Sequence, residues 1–213
     1  AELKNTICLT KGKHAFISQH VGDLENLATY EFFKQTISHL KRIIDIEPEV
    51  VAYDTHPDYL STQYAKKQQQ IEKVATQHHH AHIASCMAEF GLDEQEIGIS
   101  FDGTGLGDDQ KIWGGEFLIC DLNDYQRFSH FDYVPMPGGD KAAEEPWRMG
   151  VSYLYKTFGK EFLHVDLPFI RQLDKGKLEL LLAAIDKRIN CPQTSSVGRL
   201  FDAVAAIINL VTI

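Results

Sequence analysis

Apolar and polar positions alternate with period two in "NTICLT" and "HAFISQ", on either side of "KGK", which predicts a β-hairpin at the start of the chain. From Asp23 the period lengthens. Leu24, Leu27, Tyr30, Phe33, Ile37, Leu40 and Ile44 recur every three or four residues, so a long amphipathic helix is expected, with Asp23 as N-cap and Pro48 beyond its end. "EVVAYD" (49–54) reads as a buried strand, followed by a polar helix around Ser61 to Ile71 and a short strand at "KVATQ". The stretch "QHHHAHIASCMAEFG" (77–91) then continues as a helix. Beyond it "EIGISFDG" is a strand, "TGLGDD" a turn, and "IWGGEFLICDL" and "YQRFSHFDYV" two further strands before a break at "PMPGGD". From Lys141 the pattern is mostly helical, through "AAEEPWRMGVSYLYKTFG", "GKLELLLAAIDKRIN" and "GRLFDAVAAIINLVTI". Neither Gly nor Pro follows the last helix, so the chain is expected to be cut short within it or just after it. Strands alternating with helices, and then a new set of strands, predict an α/β chain of two related lobes. The first covers residues 1–95 and includes the histidine helix; the second, 96–213, is expected to be incomplete.

Composition narrows the function classes. With 213 residues, 44% hydrophobic and 24% charged, the chain is long enough to bury a sizeable core. A net charge of −9 with no Lys/Arg-rich block argues against a nucleic-acid surface, which draws its affinity from phosphate neutralisation. Cys8, Cys86, Cys120 and Cys191 lie far apart without a Cys-x-x-Cys, which predicts neither a disulfide framework nor a zinc knuckle and suits a reducing cytoplasm. Cys86 is expected in the core. The first residues do not form a signal peptide, and no apolar run approaches the roughly 18 residues that span a bilayer, so a soluble chain without membrane contact is expected.

The histidines carry the first chemistry. At about 100° per residue His78 and His82 stand about 40° apart on one helix face, whereas His80 points nearly opposite. Residues four apart have Cβ atoms about 5–6 Å from each other, close enough for two imidazoles to share a divalent ion. Capping and surface histidines at a helix start fit the same spacing. The H-E-x-x-H protease mechanism does not fit, because His79 occupies the position of its glutamate base. In "FDGTGLGDD", Asp102 follows a strand and is able to ligate a cation, while Gly103, Thr104, Gly105 and Gly107 suggest a turn whose N–H groups face a phosphate. An ordinary Asp-Gly turn is the alternative, and the spacing excludes the G-x-G-x-x-G fingerprint. Two further stretches precede helices, where backbone donors and the dipole favour anions. They are Gly138, Gly139 and Asp140 in "PMPGGD", and Thr194, Ser195, Ser196, Gly198 and Arg199 in "TSSVGRLFDAVAA", with Asp202 on the helix that follows. For either one alone a plain helix N-cap is the favoured reading. Lys11, Lys13, His20 and Asp23 near the hairpin read as a cap plus solvated lysines.

Taken together, "SQHVGDLEN", "HPDYLST", "QHHHAHIAS", "FDGTGLGDDQKIWGGEF", "PMPGGDKAAEEPWRM" and "TSSVGRLFDAVAA" resemble, in order along nearly the entire chain, the HypF family of hydrogenase maturation carbamoyltransferases. The resemblance implies that family's carbamoyl-transfer domain, with the two-lobed actin/Hsp70/sugar-kinase-like α/β fold, here truncated at the C-terminus. It implies transfer of a carbamoyl group from carbamoyl-adenylate, made from carbamoyl phosphate and ATP, to the C-terminal cysteine of the partner HypE, on the way to the cyanide of [NiFe]-hydrogenase. It also implies a divalent metal, zinc or iron, on His78, His82 and Asp102, with a further aspartate ligand that has no counterpart in the chain. Nucleotide contacts are implied at Gly103, Thr104, Gly105, Gly138, Gly139, Asp140, Ser195, Ser196, Gly198, Arg199 and Asp202. The nucleophile would be the partner's thiolate, so none of the four cysteines needs a catalytic role. The acylphosphatase-like, zinc-finger-like and YrdC-like parts of such enzymes have no counterpart here, so activity of the isolated chain is expected to be absent or incomplete. Two other readings are a non-catalytic nucleotide-binding docking module and a threonylcarbamoyl transferase acting on tRNA; the histidine and "WGGEF" motifs and the acidic charge weigh against the latter.

Overall fold

The computed structural model describes residues 2–211. The chain groups into two compact units that divide between Gln77 and His78, ahead of the expected boundary at residue 95. The histidine helix is what moves the division, because it packs with the strands that follow it.

In the first unit, β1 (Cys8–Lys11) and β2 (His14–Ile17) form the expected antiparallel hairpin. Gly12 takes φ 58° in the two-residue turn, a conformation glycine adopts without steric cost. The first helix, α1 (Leu27–Ile44), starts later than the pattern predicted. Leu24 is fully buried with Ile7, Val21 and Phe33, which holds this part of the chain in a non-helical course into the core. Asp23 therefore closes a local turn by accepting the Glu25 N–H at 2.9 Å, and Asn26 is the N-cap, accepting the Ala28 N–H at 2.8 Å. Lys11 is not merely solvated. Its Nζ donates to the carbonyls of Ile44 (3.0 Å) and Asp45 (2.9 Å) at the end of α1, where unpaired carbonyls and the dipole favour a cation. The strands β3 (Val50–Asp54) and β4 (Glu72–Thr76) pair in parallel through the crossover helix α2 (Leu60–Lys67), which stops short of the predicted Ile71.

The second unit opens with α3 (His78–Phe90), whose Ile83 and Met87 pack on Leu118 and Cys120. Its sheet contains β5 (Glu96–Leu106), β6 (Ile112–Cys120), β7 (Tyr125–His130), β8 (Val134–Pro135) and β9 (Gln193–Thr194), in the order β5-β6-β9-β8 with β7 also on β6. Two expectations change here. "TGLGDD" is not one turn: β5 runs on to Leu106, its register with β6 shifting between Phe101 and Gly105, and the turn follows, with Gly107 accepting from Gln110. "YQRFSHFDYV" is likewise two strands, β7 and β8, separated by Phe131–Tyr133.

The helices α4 (Lys141–Glu144), α5 (Trp147–Phe158), α6 (Pro168–Gln172), α7 (Lys175–Lys187) and α8 (Val197–Ile207) complete the unit. Val151, Leu154, Phe162, Phe169, Leu181 and Ala206 form its largest apolar cluster. α8 does have a stop signal, contrary to the expectation from its sequence. Asn209 adopts φ 64° and donates to Ala206, while Leu210 donates back to Ala205, an αL ending built on Asn instead of Gly. Thr212 and Ile213, at the end of the expected helix, lie outside the described residues. Among the described residues no helix is long and apolar enough to cross a membrane.

Candidate metal centre

The register shift in β5 sets the site. Between the pairs Phe101↔Gly115 and Gly105↔Trp113, three residues of β5 face a single residue of β6. A bulge of this kind turns a side chain away from its regular alternation, and Asp102 is directed at α3. Its Oδ2 lies 3.0 Å from His78 Nε2 and 3.6 Å from His82 Nε2. The two imidazole nitrogens are 3.2 Å apart. His78 is largely buried and His82 half-exposed, so the group opens on one side.

These three atoms fit a shared cation. Donors bound to one tetrahedral ion at about 2.0–2.1 Å stand about 3.3–3.4 Å from one another, close to the triangle observed. The donor set, two imidazoles and a carboxylate, suits zinc or iron. Among the described residues no other His, Cys, Asp or Glu joins this group. Burial opposes ionisation of Asp102, but hydrogen bonds from His78, from His82 and from the Gly103 N–H outweigh it and hold the carboxyl well below its ordinary range. The carboxylate is therefore ionised, the form in which such a group binds a metal.

His79 and His80 are both buried, against the reading of the cluster as capping and surface residues. His80 Nε2 lies 2.8 Å from the Asp121 carbonyl, and His79 packs on Trp113 with ring centroids 5.9 Å apart. Burial, with the neighbouring His78, pushes the His79 imidazole down to about 4, so it stays neutral. Cys86, expected in the core, is exposed. It lies two turns beyond His78 on α3, one residue before the buried Met87.

The remaining predicted residues fall into two places. Ser196 caps α8 by accepting the Arg199 N–H at 3.2 Å, and its Oγ meets the carbonyls of Asp102 (2.9 Å) and Gly103 (2.8 Å). "TSSVGR" is thus joined to "DGTG". A Cβ added at Gly198 would stand 2.8 Å from Gly103 Cα, which explains glycine there. Gly138 and Gly139, with φ 95° and 57°, turn the chain into α4 and donate to Asn190 and Met136. The N–H groups of Gly103, Ser195 and Ser196 also donate within the chain, to Asp102 Oδ1, Ile112 O and Thr194 Oγ1. Thr104 and Asp140 are exposed, and Arg199 pairs with Asp202 at 2.7 Å in a partly open position.

Sequence reasoning passed over Glu116. It is fully buried in β6, accepting the Ser195 hydroxyl (2.5 Å) and the N–H groups of Gly114 and Gly115 on Oε1, and pairing with Arg127 at 2.7 Å on Oε2. Arg127 in turn stacks 3.8 Å over the Trp113 ring. A lone carboxylate inside the apolar run "IWGGEFLIC" was the available signal, because such a residue stays buried only when paired.

Comparison with known proteins agrees with this architecture. The family described as HypF Kae1-like domain matches residues 1–89, and the second subdomain of the carbamoyltransferase Kae1-like domain matches 98–213. Carbamoyltransferase HypF2 of Cupriavidus necator is 47% identical over 96% of this chain and 25% of its own length. HypF of Rhizobium leguminosarum bv. viciae is 42% identical over 97% of this chain and 26% of its own. A crystal structure of full-length HypF in the phosphate- and nucleotide-bound form superposes with a TM-score of 0.92 at 44% identity, covering 99% of this chain and 32% of that one. HypF of T. kodakarensis gives 0.90 at 34%, covering 100% of this chain and 29% of that one. The chain therefore has an α/β, Kae1-like fold, and it spans about a quarter of the length of these two curated relatives.

Proposed function

The chain belongs to the HypF carbamoyltransferase family, and from that premise we propose that it transfers a carbamoyl group from carbamoyl-adenylate to the C-terminal cysteine thiolate of HypE, toward the cyanide ligand of [NiFe]-hydrogenase. The observation that carries the reading is the convergence of His78, His82 and Asp102 on one point in a chain of this family. Zinc or iron held there would supply a Lewis acid for a phosphate or carbamoyl oxygen.

The chain's own groups have separate tasks. His78 and His82 offer their Nε2 atoms, and the ionised Asp102 beside them supplies the negative charge that a cation would meet. The bulge in β5 keeps that carboxylate aimed across at α3. Since the N–H groups of Gly103, Gly138, Gly139, Ser195 and Ser196 are engaged within the chain, the adenylate is held in this reading by the Thr104 hydroxyl and the Arg199–Asp202 pair, which stand where "TSSVGR" meets "DGTG". The acceptor supplies the nucleophile: its sulfur attacks the carbamoyl carbon, the bond to the adenylate oxygen breaks, and AMP leaves.

The test mixes the purified chain with carbamoyl-adenylate and HypE and reads carbamoylation of the HypE cysteine by mass spectrometry. Transfer by the chain, lost in His78→Ala/His82→Ala, is expected. HypE binding with no transfer above the uncatalysed rate would replace this reading with that of a docking module.

A further inference from the structure

Three segments meet around the Asp102 bulge. A Cβ added at Gly114 would stand 2.5 Å from the Asp102 carbonyl and 3.0 Å from Ser196 Cα, and Gly198 approaches Gly103 as closely. Ser196 Oγ spans the carbonyls of Asp102 and Gly103 at the centre of this contact. What holds Ser196 there is its neighbour, since Ser195 donates its hydroxyl to Glu116 at 2.5 Å in a fully buried position. Both oxygens of Glu116 are occupied, and through Arg127 the carboxylate is also tied to β7. A buried carboxylate bonded on all sides has a single low-energy placement, which makes it a rigid anchor.

We propose that Glu116 is a positioning residue for the metal centre, acting through the Ser195 hydroxyl to press the Ser195–Ser196 segment against the bulge and fix Asp102 toward His78 and His82. Partners bonded directly to a ligand typically change metal affinity about 10–100-fold; Ser195 reaches Asp102 only through Ser196, so the lower end of that range applies. The inference rests on the metal reading, but it also concerns an interaction that exists without metal, the bond between His78 and Asp102 at 3.0 Å.

The experiment compares the full chain with Ser195→Ala and Ser195→Thr. Zinc affinity is measured by competition with a chromophoric chelator, and the His78 ring in the metal-free protein is followed by long-range proton–nitrogen correlation. We expect Ser195→Ala to bind zinc about tenfold more weakly and to shift the His78 ring signals, with Ser195→Thr restoring both. If Ser195→Ala lowers thermal stability alone and leaves affinity and ring signals as in the wild type, Glu116 is merely structural and the proposal falls. If the wild type takes up no zinc, the metal reading fails by itself, and the His78 signals of the two variants still decide whether the anchor positions Asp102.

Discussion

The backbone of Gly105 lies directly against the rings of His78 and His79: a Cβ there would stand 2.8 Å from His78 Cδ2 and 2.5 Å from His79 Cε1. Both contacts are shorter than real Cβ atoms make, and His79 cannot retreat because it is fully buried against Trp113. Gly105→Ala should therefore displace His78 from Asp102. We expect a loss of stability of about 1–3 kcal/mol from overpacking, measured by denaturant unfolding, together with weaker zinc binding. A variant that binds zinc as the wild type does would show that α3 yields without moving its ligand.

Removing the two imidazoles tests the site itself. The wild-type chain should take up about one equivalent of zinc or iron per molecule, as one set of two imidazoles and a carboxylate allows, and His78→Ala/His82→Ala should take up none, as read by elemental analysis after dialysis. Because His82 is half-exposed, His82→Ala alone should change stability little. Equal metal content in the wild type and the double variant would place the ion elsewhere.

How far the site was legible depends on which periodicity wrote it. His78 and His82 were readable because four-residue spacing on a helix fixes a common face whatever surrounds it. Asp102 was readable as an acidic residue at a strand end, but its aim depends on a bulge whose other half, Gly114, lies twelve residues away on β6. The glycines of "DGTGLG" suggest a turn because glycine favours turns; in the fold Gly105 and Gly107 keep the chain thin where the histidines of α3 and Trp113 of β6 crowd it, while a Cβ on Gly103 would meet open space. Glu116 could not be placed without its partners, since Arg127 meets it only through the pairing of β6 with β7 and Ser195 lies 79 residues further along the chain.

The start of α1 offers a local test of the same kind. Asn26, and not Asp23, satisfies an N–H of the helix's first turn. Asn26→Ala should cost about 1 kcal/mol, read by thermal or denaturant unfolding, and Asp23→Ala less than half of that. The reverse order would restore Asp23 as the effective cap and make the Glu25 contact the more valuable one.

At the other end of the chain, Asn209 sits at φ 64° and its neighbour Leu210 returns a hydrogen bond to Ala205. This conformation costs a β-branched residue far more than it costs Asn or Gly. Asn209→Gly should leave stability within about 0.5 kcal/mol of the wild type, whereas Asn209→Val should lower it by about 1–2 kcal/mol, the scale of left-handed strain. If valine were tolerated as well as glycine, α8 would be continuing past Ile207 instead of ending there.

Arg127 is the counter-charge that makes a buried Glu116 affordable. Its guanidinium pairs with Oε2 at 2.7 Å, stacks on Trp113 and lies 3.6 Å from Asp109. Arg127→Ala leaves the carboxylate buried without its cation, which typically costs about 3–5 kcal/mol. Replacing Glu116 as well removes the unpaired charge, so Arg127→Ala/Glu116→Gln should be less destabilised than the sum of the two single variants, a coupling that denaturant unfolding of the four proteins measures directly. Additive losses would mean that water reaches Glu116 once Arg127 is gone, and that Ser195 and the two glycine N–H groups are enough to hold the carboxylate in place.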